Sequence, residues 1–222
     1  MSGGIHSTAV TAPNGKGATA VAPWTSARRT LALILFGWAA AAGTTGIAYL
    51  TLGSEWIPIS TGVLLCFVFA ILMILLHRAW WLGVLSAVPS LFVLVGAVQY
   101  APEAALEERG VRESVVIVAD SAAETGGNNH RFTLRRADGS ELKEKLAYDG
   151  DTWAPKVGRR LDVLVDPDGE VPMEQADDVD AAGRLGGLVA GVVIWTLMAL
   201  LAGRRGHVRR RRGLDSTDDL PL

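Results

Sequence analysis

A chain of 222 residues that is half hydrophobic, with 20% charged residues and a mean hydropathy of +0.28, is too apolar for an ordinary soluble domain and points to membrane insertion. Twenty-one basic against 23 acidic residues leave a formal charge of −2, which excludes a nucleic-acid polycation or an acidic tail protein as a description of the whole chain. The single cysteine, Cys66, excludes an internal disulfide framework and a cysteine-based zinc site, because both need thiols in sets.

Residues 1–30 carry Lys16, Arg28 and Arg29 without an acid, among Gly, Ala, Ser, Thr and Pro. This is the composition of a disordered cytoplasmic terminus. Residues 31–52 then run without a charge, and as a helix they reach about 33 Å, the thickness of a hydrocarbon core. Residues 57–76, 79–100 and 185–202 have the same character, so four transmembrane helices are expected. The first span is too long and starts too late for a cleaved signal core, and Arg28-Arg29 reads as a cytoplasmic flank rather than a twin-arginine export signal. Tyr49, Trp56, Trp80, Trp81 and Tyr100 fall at span edges, where amphipathic rings prefer the headgroup level. Trp38 and Trp195 lie mid-span and read as packing residues. Pro58 sits in a first turn, and Pro89 predicts a kink in the third span.

The arginines set the expected orientation. Arg28 and Arg29, Arg78, and the run Arg204, Arg205 and Arg209 to Arg212 all flank spans on one side, whereas Glu55 is the only charge between the first two spans. The N- and C-termini are therefore expected in the cytoplasm of a multi-pass cell-membrane protein, with residues 101–183 outside it. Those residues hold ten Lys plus Arg and nineteen Asp plus Glu, a balance of −9. Residues 203–222 form an Arg-rich cytoplasmic tail.

Within 101–183 the hydrophobic period changes to two. Val115, Ile117 and Ala119 alternate with Val116 and Val118, so both faces are apolar, as in a central strand. Residues 130–137 alternate as a half-buried strand, with Phe132 and Leu134 inward, and Asp138-Gly139 signals a two-residue hairpin into a third strand through Leu142, Leu146 and Tyr148. Glu144 interrupts that third face. Leu161, Val163 and Val165 form another strand, Asp166-Pro167-Asp168-Gly169 is a turn, and a short last strand through Val171 and Met173 follows. Four or five strands in so few residues predict a small all-β barrel-like domain inserted between the third and fourth helices. Residues 102–109 extend the third helix as a juxtamembrane turn, and 174–180 form a mobile acidic linker.

The succession of membrane spans, a valine-rich strand, the Ala137-Asp138-Gly139 hairpin, and Val157-Gly158 leading into Leu161-Asp162-Val163-Leu164-Val165-Asp166-Pro167 resembles a bacterial integral membrane protein family of unknown function. That family carries a small β-domain between transmembrane helices. The resemblance covers residues 80–202 and implies fold and placement in a bacterial plasma membrane, with no catalytic residues to carry over.

Chemistry is sparse. Asp166 and Asp168 are explained by their turn, and Glu174, Asp177, Asp178 and Asp180 lack the glycine and terminal glutamate of a calcium loop. His130 has no second metal-ligating partner near it and is expected as a surface histidine, and Cys66 lies in an apolar span away from activating charge. No span contains an ionisable group, which argues against ion or proton transport. Gly183, Gly187 and Gly191 on the fourth span, with Ala39 and Gly43 on the first, permit close helix packing within one chain or between two copies. The arginine run 204–212 can contact anionic lipid or act as a topological anchor. No catalytic, metal or cofactor-binding residue emerges, nucleic acid is not an expected partner, and the bilayer is. The expected role is non-enzymatic: a scaffold or sensing module whose β-domain meets an envelope or membrane-protein partner. The alternative is an accessory subunit or enzyme with a ligand site at the helix–domain junction, built from residues such as Arg109, Arg112 or Glu113.

Overall fold

The computed structural model describes residues 23–77, 80–122, 127, 129–149 and 154–211. Its helices are α1 (Pro23–Leu50), α2 (Trp56–His77), α3 (Trp80–Leu85), α4 (Ala87–Arg109) and, after the sheet in chain order, α5 (Ala181–Arg211). Four segments are long and apolar enough to cross a membrane: Ala27–Leu50, Trp56–Leu76, Trp80–Arg109 and Ala181–Arg205. The first begins earlier than the uncharged run, because residues 23–30, expected to be disordered, are already helical. Proline suits a first helical turn, where its missing N–H would have no partner anyway. The last helix likewise continues through residues 203–211 of the expected tail. Residues 1–22 and 212–222 lie outside the described residues.

The third span breaks where α3 meets α4, at Ser86, one turn before Pro89. Pro89 cannot donate to the carbonyl four residues back and its ring crowds that carbonyl, so the kink falls on the preceding turn. The Ser86 amide still donates to Leu82 and its hydroxyl to Gly83. Inside the bundle, Phe69 of α2 stacks on Trp195 of α5 with centroids 4.3 Å apart. Gly37 on α1 makes room, since a Cβ there would lie 3.1 Å from the Phe69 ring and 3.3 Å from Trp195. Trp195 is thus the packing residue expected of it. Trp38 is not: it is 54% exposed, and its indole N–H donates to the Thr196 hydroxyl, 3.0 Å away. Helices α4 and α5 bring their backbones together, since a Cβ on Gly191 would lie 2.9 Å from the Pro89 carbonyl oxygen and one on Gly96 2.7 Å from the Leu188 amide nitrogen.

The strands β1 (Val111–Asp120), β2 (Asn129–Arg136), β3 (Leu146–Asp149), β4 (Arg160–Val165) and β5 (Glu174–Gln175) form one sheet in the order β3-β2-β1-β4-β5, with antiparallel pairing throughout. The valine-rich strand is central, as its two apolar faces require. Val115, Ile117, Phe132, Leu134, Leu142, Leu146, Leu161, Val163 and Met173 enclose one core, and β3 curls toward β5 to make a nearly closed, barrel-like sheet. The seam is bridged by a side chain: Glu144 accepts the Met173 N–H at 3.1 Å. Glu144 reaches the seam because residues 143–145 bulge from the β2–β3 ladder, between Leu142 bonded to Leu134 and Leu146 paired with Phe132. The interrupted alternation at Glu144 is this bulge.

Two local details differ from the sequence reading. The turn that follows β2 has three residues, Ala137, Asp138 and Gly139, because Arg136 donates to the Ser140 carbonyl and Gly139, at φ +85°, takes the left-handed position of a bulged turn. The last strand is Glu174–Gln175 rather than Val171 and Met173, whose side chains are buried instead.

Candidate functional site

The helices and the sheet meet at a junction built from charged residues at the ends of elements. Helix α4 continues beyond the uncharged part of its span to Arg109, so Glu103 and Glu107, one turn apart, share a face. That face meets the start of α5. Glu103, only 3% exposed, takes the Asp180 N–H at 2.9 Å and Nε of Arg184 at 2.7 Å, while Glu107 takes the Ala181 N–H at 2.9 Å. Asp180 adds its own carboxylate to the Gly183 N–H, closing the cap at 2.8 Å. Carboxylates at the positive end of a helix stabilise it. The acidic linker expected to be mobile is therefore held, since α4 supplies acceptors for the first amides of α5.

A second fastening joins the end of α4 to the turn after β4. Arg109 Nη2 reaches Asp166 at 2.9 Å and Glu170 at 2.8 Å, and its Nη1 lies 3.5 Å from Asp168. The Asp166 side chain is 1% exposed and also accepts three amides, those of Asp168, Glu170 and Val171. Burial pushes its pKa up, but these N–H donors and Arg109 outweigh burial and hold it below the usual carboxylate range. The turn reading of Asp166 stands, with anchoring added. Arg112 pairs with Asp162 at 3.1 Å and Asp177 at 3.7 Å, and Glu113 pairs with Arg136. All three residues assigned to a junction site in the sequence reading are thus engaged in ion pairs within the chain.

Beside these fastenings lies a cavity of about 540 Å³. Ala48 from the end of α1, Leu52 just after it, Ile59 from the start of α2 and Val98 from α4 supply an apolar wall; Glu55, Glu174, Asp178 and the Glu103–Arg184 pair supply a charged one, and Trp56 borders it. Burial, followed by the neighbouring Glu103, raises the pKa of Glu174. The loop between α1 and α2 fits tightly against the sheet, because Gly53, at φ +84°, has its Cβ position 2.7 Å from the Glu170 carbonyl oxygen.

His130, expected at the surface, is half-buried on β2. Its Nδ1 lies 2.8 Å from Asp120 and its ring stacks on Phe132 with centroids 5.6 Å apart. Burial raises the Asp120 pKa, but the bonds from His130 and the Ala122 amide prevail and lower it. Among the described residues no group of His, Cys, Asp and Glu is arranged to hold a metal ion.

The helix-packing residues divide. Gly191 abuts Val93 and Pro89 of α4, and Gly183 faces the Asp180 cap, whereas Gly187 and Gly43 have nothing within 4 Å and Ala39 is exposed. Arg204 and Arg205 are exposed at the end of α5 remote from the sheet, where Arg205 sits 5.6 Å over the Trp81 ring. Arg209, Arg210 and Arg211 continue that helix, and Arg212 lies outside the described residues.

The chain matches no family model, no curated protein and no solved structure.

Proposed function

We propose that the chain is a non-enzymatic integral membrane protein that holds its acidic β-domain outside the cytoplasm, as a module for contact with an envelope or membrane-protein partner. The placement rests on the arginines. Arg28, Arg29, Arg204 and Arg205 belong to the helix ends away from the sheet, Gly203 packs beside Thr30 there, and Glu55 is at the sheet end. Basic flanks favour the cytoplasmic face, and there the arginines of α5 would also meet anionic lipid.

The observation that carries the reading is the double fastening of the β-domain. Both of its connections to the bundle are fixed, by Arg109 on Asp166 at one end and by Glu103 and Glu107 on the start of α5 at the other. A partner that binds the sheet therefore acts directly on α4 and α5, as a sensing module needs and a loosely tethered display does not. Arg131, Val157, Arg159 and Arg160 offer the partner an exposed mixed surface, and the outward Ala39 and Gly43 would face a second copy of the chain. The second reading, an accessory subunit with a ligand site at the junction, is favoured by the cavity, although Arg109, Arg112 and Glu113 are not in its lining.

Site-specific photo-crosslinking in intact cells tests the proposal. Crosslinkers at Arg131 and Val157 are expected to give a discrete adduct that one at lipid-facing Leu64 does not, and Glu103→Ala is expected to diminish it. The same bands from all three positions, or none from the sheet, would refute it.

A further inference from the structure

We propose that the junction cavity seats a headgroup carrying both a phosphate and an ammonium, and that its occupant is a zwitterionic membrane phospholipid. The volume, about 540 Å³, lies within the range of small-molecule sites. The apolar wall, Ala48, Leu52, Ile59 and Val98, comes from the sheet-side ends of helices apolar enough to cross a membrane, which is where a bilayer places its headgroups. Exposed Trp56 at the rim fits the same level.

The charged wall supplies both signs. Arg184 spends Nε on Glu103, and among the described residues its two terminal nitrogens take no protein partner, leaving a guanidinium edge for a phosphate. Four carboxylates, Glu55, Glu103, Glu174 and Asp178, stand against that one arginine, so the lining lacks cationic charge. Burial and the acidic neighbours disfavour the charged form of Glu174, with Arg184 only partly opposing them, and an ammonium beside it would favour that form. A bare metal ion fits poorly, because no group of carboxylates among the described residues converges closely enough to hold one. A diffuse cation of the ammonium type needs no such convergence.

The inference needs the junction to lie at a membrane surface but not on a particular side, so it can fail while the outward placement stands, and the reverse. The test is native mass spectrometry of the full chain in detergent, titrated with phosphatidylethanolamine, with phosphatidylglycerol of the same acyl chains and with soluble glycerophosphoethanolamine. The expected result is about tenfold tighter retention of phosphatidylethanolamine than of phosphatidylglycerol, with Glu174→Gln and Asp178→Asn each removing most of the preference. Unchanged phosphatidylglycerol adducts and a cooperative thermal transition no lower than that of the wild type would show that the variants still fold. Equal retention of the two lipids, or a preference that survives both substitutions, would overturn the proposal. Soluble glycerophosphoethanolamine binding as tightly as the lipid would overturn the choice of a membrane lipid.

Discussion

Substitution of Asp166 probes the fastening between α4 and the sheet. The carboxylate accepts the Asp168 N–H at 3.2 Å through Oδ1; through Oδ2 it accepts the Glu170 and Val171 N–H groups, each at 3.0 Å, and Arg109 Nη2 at 2.9 Å. Asp166→Ala strands three amides and takes from Arg109 its buried partner, leaving it Glu170; at about 1–3 kcal/mol for each amide left buried, and with water repairing the exposed side, the loss is about 4 kcal/mol. Asp166→Asn can turn its oxygen toward the three Oδ2 partners, so it gives up the Asp168 bond and the charge, or about 2 kcal/mol. In a chain of this size these losses lower the unfolding temperature by about 8–16 °C and about 4–8 °C. The assay is thermal unfolding of the full chain in detergent, with Asp168→Ala as control. Asp168 is 63% exposed and 3.5 Å from Arg109, so its removal should shift the midpoint by less than about 2 °C. Because the folded pKa of Asp166 is depressed, its contribution is present above the unfolded value, about 3.9, and is lost as the pH falls through the folded value. The difference between wild type and Asp166→Asn should therefore shrink in acid below about pH 4. An Asp166→Ala variant that unfolds within about 2 °C of wild type at pH 7 would refute the reasoning.

At the other fastening, Arg184→Ala strands a carboxylate that is 3% exposed and is expected to cost about 3 kcal/mol, whereas Glu103→Gln, which leaves a guanidinium water can reach, costs less; the same unfolding assay ranks them, and the reverse order would contradict the burial argument. Gly191→Leu should destabilise the chain by at least about 1–3 kcal/mol, because its Cβ position is 2.7 Å from Val93 and 2.9 Å from the Pro89 carbonyl, while Gly187→Leu, with open space around it, should not. Glu174 has a raised folded pKa, so its stabilising contribution is complete below the unfolded value, about 4.3, and is lost as the pH rises through the folded value. Glu174→Gln should therefore raise the unfolding temperature at pH 7 but not at pH 4, and a variant less stable at pH 7 would contradict the assignment.

Uncharged length alone located the four helices, because a bilayer imposes that length on any helix that crosses it. Strand alternation located the sheet, and the unusual apolarity of both faces of β1 identified its central place before any pairing was known. What stayed hidden depended on tertiary partners. Nothing within residues 174–180 reveals that Glu103 and Glu107 accept the Asp180 and Ala181 amides from more than seventy residues away, although two glutamates one turn apart at the end of a helix are a legible signal of such a role. Sequence places His130 beside Asn128 and Asn129, residue types that favour loops, whereas register places it opposite Tyr148 and beside Asp120. The junction cavity is illegible for the same reason: its lining is drawn from four separated stretches of chain. Arg109, Arg112 and Glu113 point to a junction site only by their place in the sequence, whereas the fold spends all three on ion pairs.

Side-specific thiol labelling in intact cells tests the central claim most directly. The background carries Cys66→Ser, and single cysteines are introduced by Gly127→Cys, at an exposed position between β1 and β2, and by Ser216→Cys, near the C-terminus of the sequence. The account predicts that a membrane-impermeant maleimide labels the Gly127→Cys protein and leaves the Ser216→Cys protein unlabelled until the cells are opened. The reverse pattern would put the β-domain in the cytoplasm and contradict the arginine argument on which its role as an outward-facing module depends.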